Sequence, residues 1–406
     1  MKRRVLMIAY ACDPKGAGEH WLGWGWAEQA AQNYQVDLIT TPKARAAVET
    51  ACQSLGITPH FVEVPKLTRK LSEMLGASWW RKLAWQKKVA QLAERLHREK
   101  PFDVVHQTTF HTFRSPFPAT SLGIPSVWGP IAGGEYVPPG FEKYLGPAKF
   151  SEASRKLINR AWLRLPSIQR SLRDASALFV SNQTTLKFLP KQVHSKCMVV
   201  PPNALRPFDE QFLPASDQKK TDHIFHLIYV GNCVATRAIP LVFDALIESG
   251  LQNYKFTIVG AGPALSHWQE LARRMHLESQ VVFAGRVAHE QLQTFYSQAD
   301  ALVFPALRDS GGSALLEAMA RYLPVVCLDW GGPGEMIDLE SGLKVPVTTP
   351  TATVRNFAEG LRRLSAGPEL RRALAVAARA RAEKLFRWQA KRLLLEATYE
   401  RLRPRE

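Results

Sequence analysis

The chain has 406 residues and carries 53 Lys and Arg against 36 Asp and Glu, a formal net charge of +17. Its 46% hydrophobic and 22% charged residues exclude a mainly disordered chain, and its length predicts two or three domains. The charge excess indicates an anionic partner: nucleic acid, a phosphorylated substrate or a membrane surface. Three segments, 66–100, 141–173 and 355–406, have net charges of +7, +6 and +8, which together exceed the charge of the whole chain, so the remaining residues carry a net −4.

The five cysteines and the start of the chain exclude several further classes. The cysteines are scattered, odd in number and without C-x-x-C spacing, which argues against a disulfide framework and a zinc site. Residues 1–10 are basic and then briefly apolar, and they are interpreted as a first strand rather than a signal peptide. Since no run of about 18 apolar residues occurs, no membrane span is predicted. We expect a cytoplasmic protein, with a peripheral position on the inner face of the cell membrane as a further hypothesis.

Apolar runs alternate with helix-length stretches in both halves of the chain, a pattern typical of parallel sheets covered by helices. The runs that predict strands lie at 5–9, 36–40, 104–106, 126–128, 177–180, 227–231, 256–260, 281–285, 301–304 and 325–328. A polar stretch at 207–222 indicates a linker between the two series. We therefore expect one domain at 1–206, a second at 207–385, and a C-terminal helix at 386–406 that packs back on the first.

The strongest chemical signal follows the predicted strand at 301–304. A polar turn contains Asp309, Gly311 and Gly312, and a helix begins near Ser313 and carries Glu317 in its first turns. Small residues before a helix N-terminus leave its N–H groups open to a phosphate or diphosphate. An ionised Glu accepts hydrogen bonds from paired hydroxyls such as those of a ribose. The alternative is a tight turn followed by a favourable first-turn acid.

This order of motifs resembles a known family. Asp309-x7-Glu317, followed by Ala-Met-Ala, Pro-Val-Val and Gly-Gly-x-x-Glu, is similar to the donor site of retaining GT-B glycosyltransferases of family 4, whose acidic pair is usually Glu-x7-Glu. The resemblance implies an α/β protein with the GT-B fold: two Rossmann-like, doubly wound parallel-sheet domains facing across a cleft. It also implies transfer from a nucleotide-diphosphate-sugar co-substrate, without a further cofactor or a metal.

The resemblance assigns roles in the second domain. Glu317 is expected to hold the nucleotide ribose, Asp309 to contact sugar hydroxyls, and the helix N-terminus to face the diphosphate. The backbone around Gly311, Gly312 and Ser313 is expected to face the donor sugar. The family places a cationic pair after the first strand of this domain, and here Arg237 replaces the Lys while Asn232 stands where the Arg is expected. Further donor-binding candidates from the resemblance are Gly260, Gly262, Arg286, Gly16 and Gly18.

In the first domain the resemblance points to polar residues after the strand at 104–106. His106 is the catalytic candidate, with a buried structural histidine as the alternative. Thr108 stands where the family often has a second His, and His111 follows three residues later. Glu135 is the remaining acceptor-side candidate.

Aromatic residues accompany the basic segments and an early helix. Residues 66–100 combine cations with Trp79, Trp80 and Trp85, which suits an anionic membrane surface, and residues 155–173 have similar character. The alternative is that these helices pack an apolar stripe on the core. The tryptophans at 21, 24 and 26 suit either an acceptor platform or packing.

The leading hypothesis is a metal-independent, retaining hexosyltransferase that acts on a hydroxyl of a saccharide or lipid-linked acceptor in cell-surface polysaccharide or glycoconjugate synthesis. The alternative is a nucleotide-sugar-binding protein with weak or lost transfer, suggested by Asn232 and Thr108. Nucleic-acid binding rests on charge alone, because no recognition module is present. A nicotinamide oxidoreductase is disfavoured by the missing third Gly after Gly262, where Leu265 stands.

Overall fold

The computed structural model describes residues 2–64, 78–110, 112–206, 224–288 and 291–403. Its strands are β1 (Arg4–Ala9), β2 (Gln35–Thr40), β3 (Thr58–Phe61), β4 (Val104–Gln107), β5 (Ser126–Ile131), β6 (Ala177–Val180), β7 (Cys197–Val199), β8 (Phe225–Val230), β9 (Tyr254–Val259), β10 (Val281–Gly285), β11 (Ala301–Phe304), β12 (Val325–Leu328) and β13 (Gly342–Val345). Its helices are α1 (Glu19–Asn33), α2 (Arg45–Leu55), α3 (Ser78–Glu99), α4 (Lys149–Leu163), α5 (Pro166–Asp174), α6 (Gln183–Phe188), α7 (Ile239–Ser249), α8 (Leu265–Arg274), α9 (Leu292–Ser297), α10 (Ser313–Ala320), α11 (Gly331–Met336), α12 (Pro350–Ala366), α13 (Pro368–Phe386) and α14 (Trp388–Arg401).

The strands form two parallel sheets. The first has the order β3-β2-β1-β4-β5-β6-β7 and the second the order β10-β9-β8-β11-β12-β13. The central strands are buried along their length, because helices cover both faces of each sheet. The predicted α/β class with two Rossmann-like parallel-sheet domains is confirmed.

Three strands were not predicted from the sequence, and each forms an edge of a sheet. They are β3, β7 and β13. An edge strand lies beside a single neighbour, so it needs a shorter and less continuous apolar run than a central strand. β3 contains Pro59 and His60, and β13 contains Lys344, so neither shows the apolar run used to find the other strands.

The chain divides into two compact units that are not simple halves. The first comprises 1–134, 157–202 and 388–406, and the second comprises 135–156 and 203–387. Residues 135–156 join the second unit through side-chain contacts: the Tyr144 hydroxyl donates to Asp244, and Arg308 forms an ion pair with Glu152.

In the first unit, helix α14 packs on α1 at a close approach that needs glycine. A Cβ at Gly25 would collide with the indole of Trp388. Further along α14, the Lys391 ammonium donates to the carbonyl of Pro201 and lies 5.3 Å from the ring centroid of Trp26. Burial lowers the pKa of Lys391 to about 7.

Candidate functional site

The turn between β11 and α10 is folded around Asp309. One carboxylate oxygen accepts a hydrogen bond from the Gly311 amide at 3.1 Å, and the other forms an ion pair with Arg237. The Asp309 carbonyl accepts from the amide of Gly332, at the start of α11. The turn is therefore stabilised by a hydrogen bond between its own residues and by a second one from the connection between β12 and α11. The structure brings together Asp309 and Arg237, which sequence reasoning placed in one site.

Arg237 reaches this turn from the connection that follows β8. Its guanidinium carbon lies 5.2 Å from the centroid of the Phe304 ring, at the end of β11. Burial opposes the charge of Arg237, but the Asp309 carboxylate raises the pKa of Arg237 above its usual range. The guanidinium is therefore a permanent cation held beside an anion at the carboxyl edge of the sheet.

Helix α10 begins at Ser313 without a side-chain cap. Gly312 precedes it, and a Cβ there would lie 2.7 Å from the Phe304 ring, so this glycine is required by packing. An uncapped helix N-terminus presents amide donors and a partial positive charge, the features that bind phosphate groups.

Asn203 supports this turn and was missed by sequence reasoning. It is 6% exposed, and its side-chain amide donates to the carbonyl of Gly311 at 2.6 Å. The hydroxyl of Ser313 lies 3.5 Å from the Asn203 side-chain oxygen. The only sequence signal was an Asn directly after Pro201-Pro202, at the end of the first strand series.

Glu317 lies one turn into α10, with a half-buried carboxylate. The Tyr296 hydroxyl, on α9, donates to it at 2.9 Å. Arg321 donates to the Glu317 carbonyl at 2.9 Å, and its guanidinium carbon lies 5.1 Å from the Tyr296 ring centroid. Tyr296 and Arg321 were not predicted, because a tyrosine on a neighbouring helix has no spacing relation to the acid that it contacts.

The structure gives a reason for glycine at positions 260 and 262 that differs from the predicted close approach of a ligand. The connections after β8 and β9 cross each other: a Cβ at Gly260 would collide with the Gly231 carbonyl, and one at Gly262 with the Cys233 carbonyl. The Cys233 amide donates to the carbonyl of Ala261 at 3.0 Å. Glycine is thus demanded by the crossing backbones, whether or not a ligand also binds there.

Asn232 and Arg286 follow two strands of the second sheet that lie on either side of β9. Both side chains are exposed, Asn232 after β8 and Arg286 after β10. The Tyr229 hydroxyl donates to the Asn232 carbonyl at 2.9 Å, which fixes the backbone at that strand end. Because the strands are parallel, these residues share the carboxyl edge of the sheet with Asp309 and Arg237.

His106 lies within β4, in the core of the first unit. It is fully buried, with Nε2 bonded to the Gly129 carbonyl at 2.9 Å and Nδ1 to the Tyr399 hydroxyl at 2.8 Å. The Gly129 contact requires a proton on Nε2, so the Tyr399 hydroxyl donates to Nδ1. Burial lowers the pKa of His106 to about 4. This geometry favours the alternative of a structural histidine that anchors α14, and the catalytic role of His106 stays a prediction.

The other first-domain candidates lie in different places. Gly16 and Gly18 belong to the turn before α1, and Gly18 has a φ of 56° that favours glycine. Thr108 is buried just after β4. Glu135 is buried and belongs to the second compact unit. His111 lies outside the described residues.

Three of the four candidate tryptophans whose side chains are described are buried. Trp24, Trp26 and Trp85 are buried in the first unit, and the Trp85 indole donates to the Val62 carbonyl, so these three form no exposed platform. The side chains of residues 78–80 lie outside those described.

Within the described ranges, no cluster of three or more His, Cys, Asp or Glu residues is arranged to hold a metal ion. Among the helices described, none is long and apolar enough to cross a membrane.

Comparison with known proteins finds one family model and several relatives, each matching only part of the chain. Residues 210–381 match the family model for glycosyl transferases group 1. Alpha-D-kanosaminyltransferase from Streptomyces kanamyceticus is 29% identical over 153 residues, which are 37% of this chain and 38% of the relative. The chain covers only 30% to 50% of the length of three such relatives.

Solved structures match almost the whole chain at low identity. Sucrose-phosphate synthase from Thermosynechococcus elongatus has a TM-score of 0.68 at 21% identity, covering 99% of both chains. HepE from Anabaena, solved with UDP and glucose, has a TM-score of 0.61 at 14% identity, covering 98% of this chain and 100% of its own. At these identities the likeness establishes a shared fold.

Proposed function

We propose that this protein is a glycosyltransferase that uses a nucleotide-diphosphate sugar. The observation that carries the proposal is the arrangement around α10: a cation and an anion paired at its uncapped N-terminus, and a second carboxylate one turn further. The match of residues 210–381 to group 1 glycosyl transferases supports it, as does the fold shared with HepE, which was solved with UDP and glucose.

The proposed mechanism assigns one task to each group. Glu317 accepts hydrogen bonds from the ribose, held in orientation by Tyr296. The α10 N-terminus and Arg237 hold the diphosphate and stabilise the charge that develops on it as the sugar leaves. When the diphosphate binds Arg237, it competes with the ion pair between Arg237 and Asp309. The Asp309 carboxylate then becomes available to contact sugar hydroxyls. With no metal in the scheme, these cationic groups stabilise the leaving diphosphate.

The stereochemistry and the acceptor are further parts of the proposal. We propose transfer with retention, to a hydroxyl of a saccharide or lipid-linked acceptor, in the synthesis of a cell-surface polysaccharide or glycoconjugate. The basic surface of the chain supports an acceptor presented at an anionic membrane surface.

One observation supports an alternative function. Asn232 is exposed at the strand end where the resemblance expects a cation, so the leaving diphosphate has one positive side chain fewer. A protein that binds the nucleotide sugar without transferring it is therefore the alternative. Detection of released nucleoside diphosphate separates the two, because a binding protein gives occupancy without product.

Thermal unfolding with a panel of UDP-, GDP- and ADP-sugars tests the proposed site. A ligand that binds only the folded protein at 100 times its Kd stabilises it by about 2.7 kcal/mol. We expect one nucleotide class to raise the Tm of the wild type and to leave Glu317→Ala unshifted. A panel that shifts neither protein, or shifts both equally, contradicts the site.

A further inference from the structure

Helix α4 and the turn after it expose large apolar side chains to solvent. Leu157 is 67% exposed, Ile158 is 47% exposed, and Leu165, just after the helix, is 41% exposed. Side chains of this kind are normally buried in a folded protein. Three of them within nine residues form an unusual concentration on one short stretch of surface.

The polar residue between them points the opposite way. Asn159 is only 2% exposed, its side-chain amide donates to the Gly133 carbonyl at 2.8 Å, and its side-chain oxygen accepts from Arg114. Trp162 and Leu163 of the same helix pack against the core, so the inward apolar contact of α4 does not include residues 157 and 158. The packing of α4 therefore does not explain why these two residues are apolar.

The charge beside this apolar stretch is entirely positive. Residues 157–173 contain four arginines and no acidic residue. Arg160, Arg164, Arg170 and Arg173 are all exposed. Within the described ranges, the ion-pair partner of Arg173 is Asp174, which follows it in sequence. Arginines that rim an apolar patch match a surface that offers phosphate groups above a hydrocarbon layer.

We propose that this surface docks on an anionic lipid bilayer. The docking surface is defined as Leu157, Ile158 and Leu165 with Arg160 and Arg164. The apolar side chains enter the boundary between headgroups and acyl chains, and the arginines contact lipid phosphates. The charge favours this partner over a neutral bilayer, because nothing acidic on the segment 157–173 repels anionic lipid. The inference rests on the part of the proposed function that presents the acceptor at a membrane.

Co-sedimentation with vesicles tests the docking surface without any donor or acceptor. The probes are phosphatidylcholine vesicles with and without phosphatidylglycerol, and the protein is the full chain. We expect binding to the anionic vesicles that weakens as salt is added, and little binding to the neutral ones. Equal binding to both vesicle types, or binding to neither, overturns the proposal.

Two double variants locate the contact. Leu157→Ser with Ile158→Ser, and separately Arg160→Gln with Arg164→Gln, are expected to weaken binding to anionic vesicles at least about tenfold. Leu339→Ser is the matched control, because Leu339 is 80% exposed and lies in the other compact unit. It should bind like the wild type. If both double variants also bind like the wild type, the docking surface is wrong.

A mass measurement without vesicles, read together with the vesicle data, tests a competing occupant of the docking surface. A second copy of the chain on this surface would give a concentration-dependent mass increase without vesicles, lost in the leucine and isoleucine variant, and no vesicle binding. That result overturns the bilayer proposal. Since nucleotide-sugar stabilisation is measured without lipid, a failed vesicle experiment and a failed glycosyltransferase proposal are distinguished directly.

Discussion

Removing one hydroxyl group, in Tyr296→Phe, tests how the proposed ribose-binding carboxylate is held. The Tyr296 ring is 2% exposed, and its hydroxyl donates to Glu317 at 2.9 Å. A hydrogen bond to a charged group contributes about 1.5–3 kcal/mol. Because 1.4 kcal/mol corresponds to a tenfold change in affinity, full loss of orientation weakens nucleotide binding roughly 10–100-fold. Arg321 still donates to the Glu317 carbonyl, so we expect the lower end, about tenfold.

Calorimetric titration with the nucleoside diphosphate that stabilises the wild type most is the appropriate assay. Tyr254→Phe is the matched control: Tyr254 is a buried tyrosine of the same compact unit, at the start of β9 and therefore at the strand end opposite the site. Its hydroxyl has no hydrogen-bond partner in the described part of the chain. We expect wild-type affinity for the control. If Tyr296→Phe also binds within twofold of the wild type while Glu317→Ala does not bind, the orienting role of Tyr296 is refuted.

Three further predictions concern charge and burial. Arg237→Gln should lower kcat for nucleotide-sugar turnover about 10²–10³-fold, with Arg237→Lys recovering part of the loss, as measured by release of nucleoside diphosphate. Tyr399→Phe should lower the free energy of unfolding by about 1–2 kcal/mol, since His106 Nδ1 loses its donor, and should leave nucleotide affinity unchanged in the same titration. Lys391→Met should be more stable than the wild type at pH 7. The folded pKa of Lys391 is about 7, so the wild type unfolds with proton uptake above pH 7 and gains stability there. Urea unfolding at pH 7 and pH 9 should therefore show the advantage of the variant shrinking by up to about 1.4 kcal/mol per pH unit, and a constant difference would contradict this.

The central strands were predicted from the sequence, whereas three edge strands were missed, and the difference has a physical reason. A central strand must be apolar on both faces, so its apolar run is visible in the chain. β3, β7 and β13 have one neighbour each: β3 and β13 contain proline, histidine or lysine residues that interrupt the apolar run, and β7 is only three residues long. The start of α10 at Ser313 was predicted correctly, because small residues and a change of period mark it.

Contacts between distant segments were beyond sequence reasoning. The support of the Gly311 turn by Asn203 joins residues 108 positions apart, and no local pattern indicates it. His106 is a second example, because its contact with a distant residue was also not visible in the sequence. Its place at a strand end suited catalysis, but Tyr399 lies 293 residues away, and its contact turns His106 into part of the core.

Sugar release from the donor in the absence of any acceptor tests the central claim most directly. The wild type and Glu317→Ala are incubated with the nucleotide sugar selected by thermal stabilisation, and free nucleoside diphosphate is quantified over time, with folding checked by the unfolding transition. We predict slow hydrolysis by the wild type and a rate at least about tenfold lower in the variant. Equal rates in two folded proteins would contradict the assignment of the donor site to Asp309, Arg237 and Glu317.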